Sequence, residues 1–427
     1  MRLLNKYTLN FEWFMDESIP PYLILSHRWY GAETTLQEFA ELRHLPIHEQ
    51  NPGVKKVIQF CQYAESHEAH HVWIDTCCID KSSSTELQEA INSMYKWYAN
   101  AESSVVYLED VATPNDGPLA EEDSASDLEQ LLKQSVWFTR GWTLQELLAP
   151  RRQVFVDCNW KLIGDREVLA ETIAKITQIR SSFYGSQSEI LSATVAERMS
   201  WLSDRRTSRV EDLAYCMLGI LNVNLTMLYG EGSKAFVRLQ KELIQETDDE
   251  TIFIWQPTHP DHLENPTILA PHPSCFSICR NSVIERDMYF DRNPYRITNR
   301  GLEIEHCASR ESQFSDSVLL PLNVKFNGQR VGIDLHRQNG GNNKQHLANT
   351  QWERLYSDHG IRTFDERSVR KPVSSWGQFL DHSERLLHAG KPGFGAPTPL
   401  GGNNGLHSIR AMQAFKGEAM RFNVFIK

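Results

Sequence analysis

The chain has 427 residues, 41% of them hydrophobic, and a formal net charge of -11. This length is enough for two or three domains with buried cores. The acidic balance argues against binding to a nucleic-acid backbone as the main role, because such binders usually present basic surfaces. No apolar stretch reaches the length of a membrane span, so we expect neither a span nor a nucleic-acid partner.

Eight cysteines are scattered through the chain, several of them inside apolar runs where a free thiol packs as a small hydrophobic group. The first thirty residues lack the basic start and apolar core of a signal peptide. We therefore expect a cytoplasmic protein. Cys275 and Cys279 with His306-Cys307 match a metal site only weakly, and we expect no metal.

The N-terminal half alternates apolar strands with amphipathic helices. Strands are predicted at 22–29, 72–75, 104–108 and 153–156 from short apolar runs. Apolar residues at three- and four-residue spacing predict helices over 53–67 and from Thr85 onward. This rhythm implies right-handed βαβ crossovers and a parallel sheet covered on both faces.

Polar residues follow these strands at one edge of the predicted sheet. Ligands of parallel sheets bind outside the carboxyl ends of the strands, at a switch in strand order. The residues expected at that edge are Ser26, His27, Arg28, Asp75, Asp80 and the turn 141–146.

The turn is the most informative segment, because Trp142-Thr143-Leu144-Gln145-Glu146-Leu147 places a carboxylate at the head of an apolar helix just after Gly141. Glu146 is the candidate catalytic residue. An acid in the first turn of a helix is also favoured by the helix dipole alone. Asp75 fits a cap or a core acceptor equally well, and His27 fits a hydrogen-bonded structural residue. Trp29 and Trp142 fit either a core or a ligand-stacking role.

Three sequence blocks resemble the fungal heterokaryon incompatibility (HET) domain. They are Leu25-Ser26-His27-Arg28-Trp29, Trp73-Ile74-Asp75-Thr76-Cys77-Cys78-Ile79-Asp80 and Arg140-Gly141-Trp142-Thr143-Leu144-Gln145-Glu146-Leu147. The resemblance covers roughly residues 1–255. It implies a role in the programmed cell death that follows fusion of genetically different hyphae.

The HET domain is in turn similar to the Toll/interleukin-1 receptor (TIR) domain, a flavodoxin-like α/β fold. Enzymatic TIR domains cleave NAD between nicotinamide and ribose, using a Glu in a Trp-Cys-x-x-Glu-Leu block. Glu146 matches that Glu, and Thr143 stands in place of the Cys. The resemblance thus implies NAD as substrate, with Trp142 or Trp29 stacking on a base and Arg28 meeting the pyrophosphate.

The later part of the chain changes character. Helices are predicted at 165–176, 195–202, 209–221 and 232–245, and short alternating strands follow residue 257. We expect three domains. They are a flavodoxin-like (TIR-like) parallel-sheet domain at 1–178, a helical extension at 179–256 and a mostly antiparallel β module at 257–427.

Three functions are consistent with these patterns. The first is a cell-death effector that hydrolyses NAD, and the second is a non-enzymatic module that signals by self-association. The third is a nucleotide-binding sensor without turnover. The resemblance implies self-association and an upstream incompatibility or NOD-like receptor partner. Without a Walker-type phosphate loop or repeats, the sequence leaves the activating signal open.

Overall fold

The computed structural model describes residues 1–31, 33–46, 49–113, 122–263, 267–287, 293–299, 301–307, 317–337, 351–354, 362–363 and 419–424. The chain forms two compact units. The first comprises Met1–Thr258 and Leu269–Ser282, and the second comprises His259–Ile268 and Val283–Lys427. Residues 1–178 and 179–256 both lie in the first unit.

The first unit is built on a sheet of seven strands in the order β2-β1-β4-β3-β5-β6-β7. The strands are β1 (Arg2–Asn5), β2 (Phe11–Trp13), β3 (Tyr22–His27), β4 (His71–Trp73), β5 (Ser103–Tyr107), β6 (Gln153–Val156) and β7 (Leu162–Asp165). The four inner strands β4, β3, β5 and β6 are parallel. The mostly parallel α/β sheet is therefore confirmed.

The inner strands also define where a ligand site can form. From β3 the chain crosses to β4 on one side of it and then to β5 on the other side, so the strand order switches between β3 and β5. Ser26 of β3 pairs with Val106 of β5 at this switch. Adjacent crossovers leave in opposite directions there, which opens a crevice at the carboxyl ends of the strands.

Eleven α-helices accompany this sheet among the described residues. They are α1 (Leu36–Leu42), α2 (Pro52–Ala64), α3 (Ser84–Asn100), α4 (Glu122–Gln134), α5 (Thr143–Leu148), α6 (Ala170–Thr177), α7 (Gln187–Ser192), α8 (Val195–Ser200), α9 (Asp212–Tyr215), α10 (Leu218–Leu221) and α11 (Lys234–Glu246). The local sequence explains where two of these helices begin. The Asn51 side chain accepts from the Val54 amide and Pro52 opens α2, while the Ser83 side chain accepts from the Glu86 amide at the start of α3.

Several elements differ from the sequence prediction. The hairpin β1-β2 and the strand β7 were not expected, because strands of three or four residues give little periodic signal. The predicted helix 165–176 begins at Ala170, because Asp165 ends β7. The predicted helix 209–221 is two short helices, α9 and α10, whose apolar residues are still buried.

The core beneath the carboxyl edge is aromatic. Trp137 packs edge-to-face on Phe138 and Phe155, with ring centroids 5.0 and 5.8 Å away. Leu147 of α5 belongs to the same buried cluster. This packing fixes α5, and with it Glu146, against β6 and the segment before α5.

The second unit contains a mostly antiparallel sheet, as predicted. Its strands are β8 (Ile284–Arg286), β9 (Arg296–Thr298), β10 (Gly301–Cys307), β11 (Ser317–Phe326), β12 (Gln329–Arg337), β13 (Gln351–Arg354), β14 (Arg362–Thr363) and β15 (Ala419–Val424). Asn327 and Gly328, both with positive φ, form the tight turn between β11 and β12. Within the described part of the chain, no helix is long and apolar enough to cross a bilayer.

Candidate functional site

Glu146 and Ser26 form the centre of the site. The Ser26 hydroxyl donates a 2.5 Å hydrogen bond to Glu146 Oε2, and the Trp137 indole N–H donates to the Ser26 oxygen at 2.9 Å. Ser26 is the second-last residue of β3, and Glu146 is on α5. The fold thus joins two residues of separate sequence blocks at the strand-order switch, as the sequence predicted.

The Glu146 carboxyl is buried, with 9% of the residue exposed. Burial raises the pKa of Glu146 to about 8, although interactions with Ser26 and Tyr98 oppose the shift. The Tyr98 hydroxyl donates its hydrogen to the Leu25 carbonyl at 3.0 Å. The Glu146 carboxyl is therefore mostly protonated at neutral pH in the free protein.

His27 lies beside this pair and is almost fully enclosed, with 1% of its side chain exposed. Its Nε2 is 3.7 Å from Glu33 Oε2, and its Nδ1 is 4.0 Å from Asp75 Oδ1. Neither ring nitrogen has a hydrogen-bond partner within the part of the chain that the structure describes. Buried polar groups are normally hydrogen-bonded, so this imidazole between two carboxylates has capacity for a further hydrogen-bond partner.

Glu33 connects this edge to helix α2. Lys56 Nζ lies 2.7 Å from Glu33 Oε1 and 3.2 Å from Glu109 Oε2. Burial raises the pKa of Glu33, but His27 and Lys56 more than compensate and bring it to about 2. Glu33 is therefore a permanent anion across the physiological pH range.

Trp29 stands at the rim with 49% of its surface exposed. Its indole N–H donates to Asp75 Oδ2 at 2.9 Å, and the Lys81 ammonium lies 3.6 Å from the ring centroid. Asp75 also acts electrostatically on Glu146, whose pKa it raises. Trp29, Asp75, His27, Ser26 and Glu146 thus form one continuous site.

A cleft of about 230 Å³ opens next to this group. Its walls are Arg28, Tyr30, Tyr107, Leu108, Glu109, Asp110 and Trp137. The Arg28 guanidinium lies 5.3 Å from the Tyr30 ring centroid. Glu146 does not line the cleft, and Trp137 connects the two, because it lines the cleft and also binds Ser26.

Asp80 and Trp142 are engaged elsewhere. Asp80 Oδ1 accepts from Gln37 at 3.1 Å and from the Ser82 hydroxyl at 2.6 Å, so it organises the loop before α3. The Trp142 side chain hydrogen-bonds Asp212, which opens helix α9. The structure therefore gives both residues structural partners, and their expected contacts with a ligand stay predictions.

The helical extension holds the turn that carries Glu146. Arg205 Nη1 donates to the Arg140 carbonyl at 2.8 Å and to Thr143 Oγ1 at 3.0 Å. Gly141 donates its amide to the Arg206 carbonyl at 2.9 Å. A Cβ at Gly141 would lie 2.5 Å from Thr207 Cγ2, so a larger residue at this position would require the Thr207 side chain to move.

Sequence reasoning missed several residues of the site. Tyr98, Trp137, Glu33 and Lys56 gave no signal, because their patterns are those of ordinary helix, core and loop positions. The partners of Arg205 also had no marker, since they are a backbone carbonyl and a hydroxyl rather than a carboxylate in a recognisable motif. Among the described residues, no three His, Cys, Asp or Glu side chains are grouped as a metal site would require.

Comparisons with known proteins agree with the sequence blocks. The family model described as "Heterokaryon incompatibility protein (HET)" matches residues 22–121, a range that includes Ser26 and Asp75 and ends before Glu146. The vegetative incompatibility protein HET-E-1 of Podospora anserina is 39% identical over 251 residues, which is 57% of this chain and 17% of that protein. No solved structure matches the chain at a significant level. The chain therefore resembles heterokaryon incompatibility (HET) proteins, through the family model over residues 22–121 and through the relative over 251 residues.

Proposed function

We propose that this protein acts as a cell-death effector in fungal heterokaryon incompatibility, and that it does so by hydrolysing the nicotinamide–ribose bond of NAD. The observation that carries the proposal is the hydrogen bond between Ser26 and Glu146 at the switch in strand order. Open α/β sheets bind their ligands at that position. A buried carboxyl with a raised pKa in such a crevice is a functional candidate.

The strand order supports a TIR-like interpretation of the fold. Numbered along the chain from β3, the parallel strands run 2-1-3-4, which agrees with the first four positions of the flavodoxin-like order 2-1-3-4-5. The edge strands β1, β2 and β7 are antiparallel additions. The catalytic assignment of Glu146 rests on this topology and on the match of its sequence block.

The proposed reaction breaks the bond between the anomeric carbon and the nicotinamide nitrogen. The bonding electron pair goes to the nitrogen, which leaves as neutral nicotinamide, and the ribosyl group becomes an oxocarbenium-like cation. Water adds to the anomeric carbon and loses a proton, giving ADP-ribose. An anionic Glu146 stabilises the developing cation electrostatically.

Glu146 must lose its proton to act in this way. In the free protein its pKa is about 8, so the carboxyl is largely neutral at pH 7. A cationic nicotinamide ring beside the carboxyl favours the ionised form and lowers its pKa. Substrate binding therefore generates the charged state that the transition state requires.

The surrounding side chains supply the remaining contacts. We assign Arg28 to the pyrophosphate, because a guanidinium matches phosphate oxygens, and we assign Ser26 and Asp75 to polar groups of the nicotinamide riboside. His27 lies between Asp75 and Glu33 and offers the ligand a further polar contact. Asp80 and Trp142 act by positioning the loop before α3 and the turn before α5.

Self-association is part of the proposal. Glu146 is 9% exposed and does not line the cleft, so a rearrangement must open a path to it. We infer that contact between protomers, triggered by an upstream incompatibility or NOD-like receptor partner, supplies that rearrangement. Dilute protein is then silent, and clustered protein is active.

A second candidate function is a non-enzymatic module that signals by self-association alone. The observation that favours it is that the Glu146 carboxyl is already bound by Ser26 and is shielded from the cleft. A sensor that binds NAD without turnover is the third candidate. NAD binding and nicotinamide release, measured on the same clustered preparation, separate the three.

The test compares wild type with Glu146→Gln, which keeps the shape of the side chain. Glu171→Gln on α6, an exposed residue of the same sheet unit, is the matched control. Nicotinamide release by clustered wild type and by the control, but not by Glu146→Gln, supports the enzyme. Binding without release favours the sensor, and the absence of both favours the self-associating module.

A further inference from the structure

Trp29 holds a cation of the protein itself at the rim of the site. The Lys81 ammonium lies 3.6 Å from the centroid of the Trp29 ring, well within the range of a cation–π contact. The edge of the same ring is fixed, since Trp29 Nε1 donates to Asp75 Oδ2 at 2.9 Å. An oriented aromatic face and a carboxylate thus meet at one position, and a cation occupies it.

The charges around this position favour a cation over a neutral group. Asp75 lies beside it, and Glu33 is held as an anion. His27 is enclosed between Glu33 and Asp75, and neither of its nitrogens is hydrogen-bonded to any residue that the structure describes. This buried imidazole without a direct hydrogen bond is a second polar feature of the same position.

Lys81 is a replaceable occupant. Its ammonium is a compact, strongly hydrated charge, and burial lowers the pKa of Lys81 while Asp75 opposes that shift. A planar organic cation is less strongly hydrated and covers the whole aromatic face. Such a ligand gains the same attraction to Trp29 and Asp75 at a smaller desolvation cost.

We propose that the face of Trp29 beside Asp75 is a subsite for a planar organic cation, and that Lys81 occupies this subsite in the free protein and competes with the ligand. The identification of that cation with the nicotinamide ring of NAD rests on the function proposed above. The subsite itself follows from the contacts of Trp29, Asp75 and Lys81. Lys81 therefore sets the affinity of the site for cationic ligands.

The test uses 1-methylnicotinamide, a pyridinium without a ribose, and neutral nicotinamide as the matched uncharged ligand. Calorimetric titration compares wild type with Lys81→Met, which keeps the length of the side chain without its charge. Lys81→Arg keeps a cation on Trp29 and controls for the substitution itself. Circular dichroism and thermal unfolding establish that the variants fold.

We expect Lys81→Met to bind 1-methylnicotinamide about tenfold more tightly than wild type, the scale of one cation–π contact. Lys81→Arg, whose planar guanidinium also covers Trp29, shows no gain over wild type. Trp29→Leu abolishes the gain in the double variant, and the affinity for neutral nicotinamide does not change. Unchanged or undetectable binding of the cation by folded Lys81→Met overturns the proposal. An equal gain for neutral nicotinamide also overturns it.

The probe separates this inference from the proposed function, because 1-methylnicotinamide has no glycosidic bond to cleave. A protein that gains affinity for the cation in Lys81→Met but never releases nicotinamide from NAD has the subsite without the hydrolase activity. A protein that hydrolyses NAD through Glu146 but shows no gain in Lys81→Met has the activity without this subsite.

Discussion

Ser26 and Glu146 lie 120 positions apart in the sequence and are joined by a hydrogen bond of 2.5 Å. Ser26 is the second-last residue of a parallel strand at the switch in strand order, and Glu146 is in a six-residue helix packed beneath the same edge. Trp137 and Tyr98 enclose the pair, and Asp75 and Arg205 act on Glu146 electrostatically. This environment makes the protonation state of Glu146 the property on which function depends.

The stability of the protein should fall as pH rises. The folded-state pKa of Glu146 is about 8, and its ordinary value is 4.5, so the folded state holds a proton that the unfolded state releases. The resulting stabilisation is complete below pH 4.5 and is lost as pH rises through about 8, with a size of a few kcal/mol. Urea unfolding at several pH values, for wild type and Glu146→Gln, measures it. Parallel pH dependences of the two proteins would contradict the assignment.

Replacing Ser26 with Ala should affect both stability and activity. The change removes the donor to Glu146 and the acceptor of the Trp137 indole, at a cost of about 1–3 kcal/mol in unfolding free energy. The lost hydrogen bond had lowered the pKa of Glu146, so the acidic limb of the pH–rate profile, where Glu146 loses its proton, moves to higher pH. Kinetics of nicotinamide release across pH test this. A lower rate with an unmoved profile would show that Ser26 does not tune Glu146.

Arg205 should position the turn that carries Glu146. Arg205→Met removes the donor to the Arg140 carbonyl and to Thr143, and we expect a loss of about 1–3 kcal/mol in unfolding free energy. Arg206→Met is the control, because the exposed Arg206 contacts the turn through its backbone. Hydrogen exchange over 139–148 should accelerate only in Arg205→Met. Equal protection in the two variants would remove Arg205 from this role.

Trp142 and Trp29 should differ in which property they control. Trp142 bonds Asp212 and is partly buried, so Trp142→Leu lowers stability by about 1–3 kcal/mol and leaves the KM for NAD unchanged. Trp29 is half exposed, so Trp29→Leu raises KM and changes stability little. Thermal unfolding measures the stability of both variants, and steady-state kinetics measure their KM for NAD. A raised KM for Trp142→Leu would restore the stacking role that the sequence suggested for it.

The proximity of Ser26 and Glu146 could be predicted, because the position of each follows from the hydrophobic periodicity of its segment and from the order of strands and helices. Buried parallel strands are apolar runs of fixed length, and their carboxyl ends share one edge of the sheet. The same reasoning led us to expect Asp75 at this edge, and Asp75 acts electrostatically on Glu146. These predictions need only local patterns and the handedness of βαβ crossovers.

The surroundings of the pair could not be predicted in the same way. Trp137 lies in a short 3-10 segment, Val136–Thr139, whose sequence fits any aromatic core. Arg205 and Asp212 reach the turn from the helical extension through contacts that depend on how helices pack. Such contacts between distant segments leave no periodic pattern in the sequence. The burial that raises the pKa of Glu146 could therefore not be predicted from the sequence either.

Nicotinamide release from NAD by the clustered protein tests the central claim most directly. Wild type held at high local density should release nicotinamide and ADP-ribose in equal amounts. Glu146→Gln, folded and clustered in the same way, should release neither. Equal release by wild type and Glu146→Gln, or no release by clustered wild type, would contradict the proposed role of Glu146 in NAD hydrolysis.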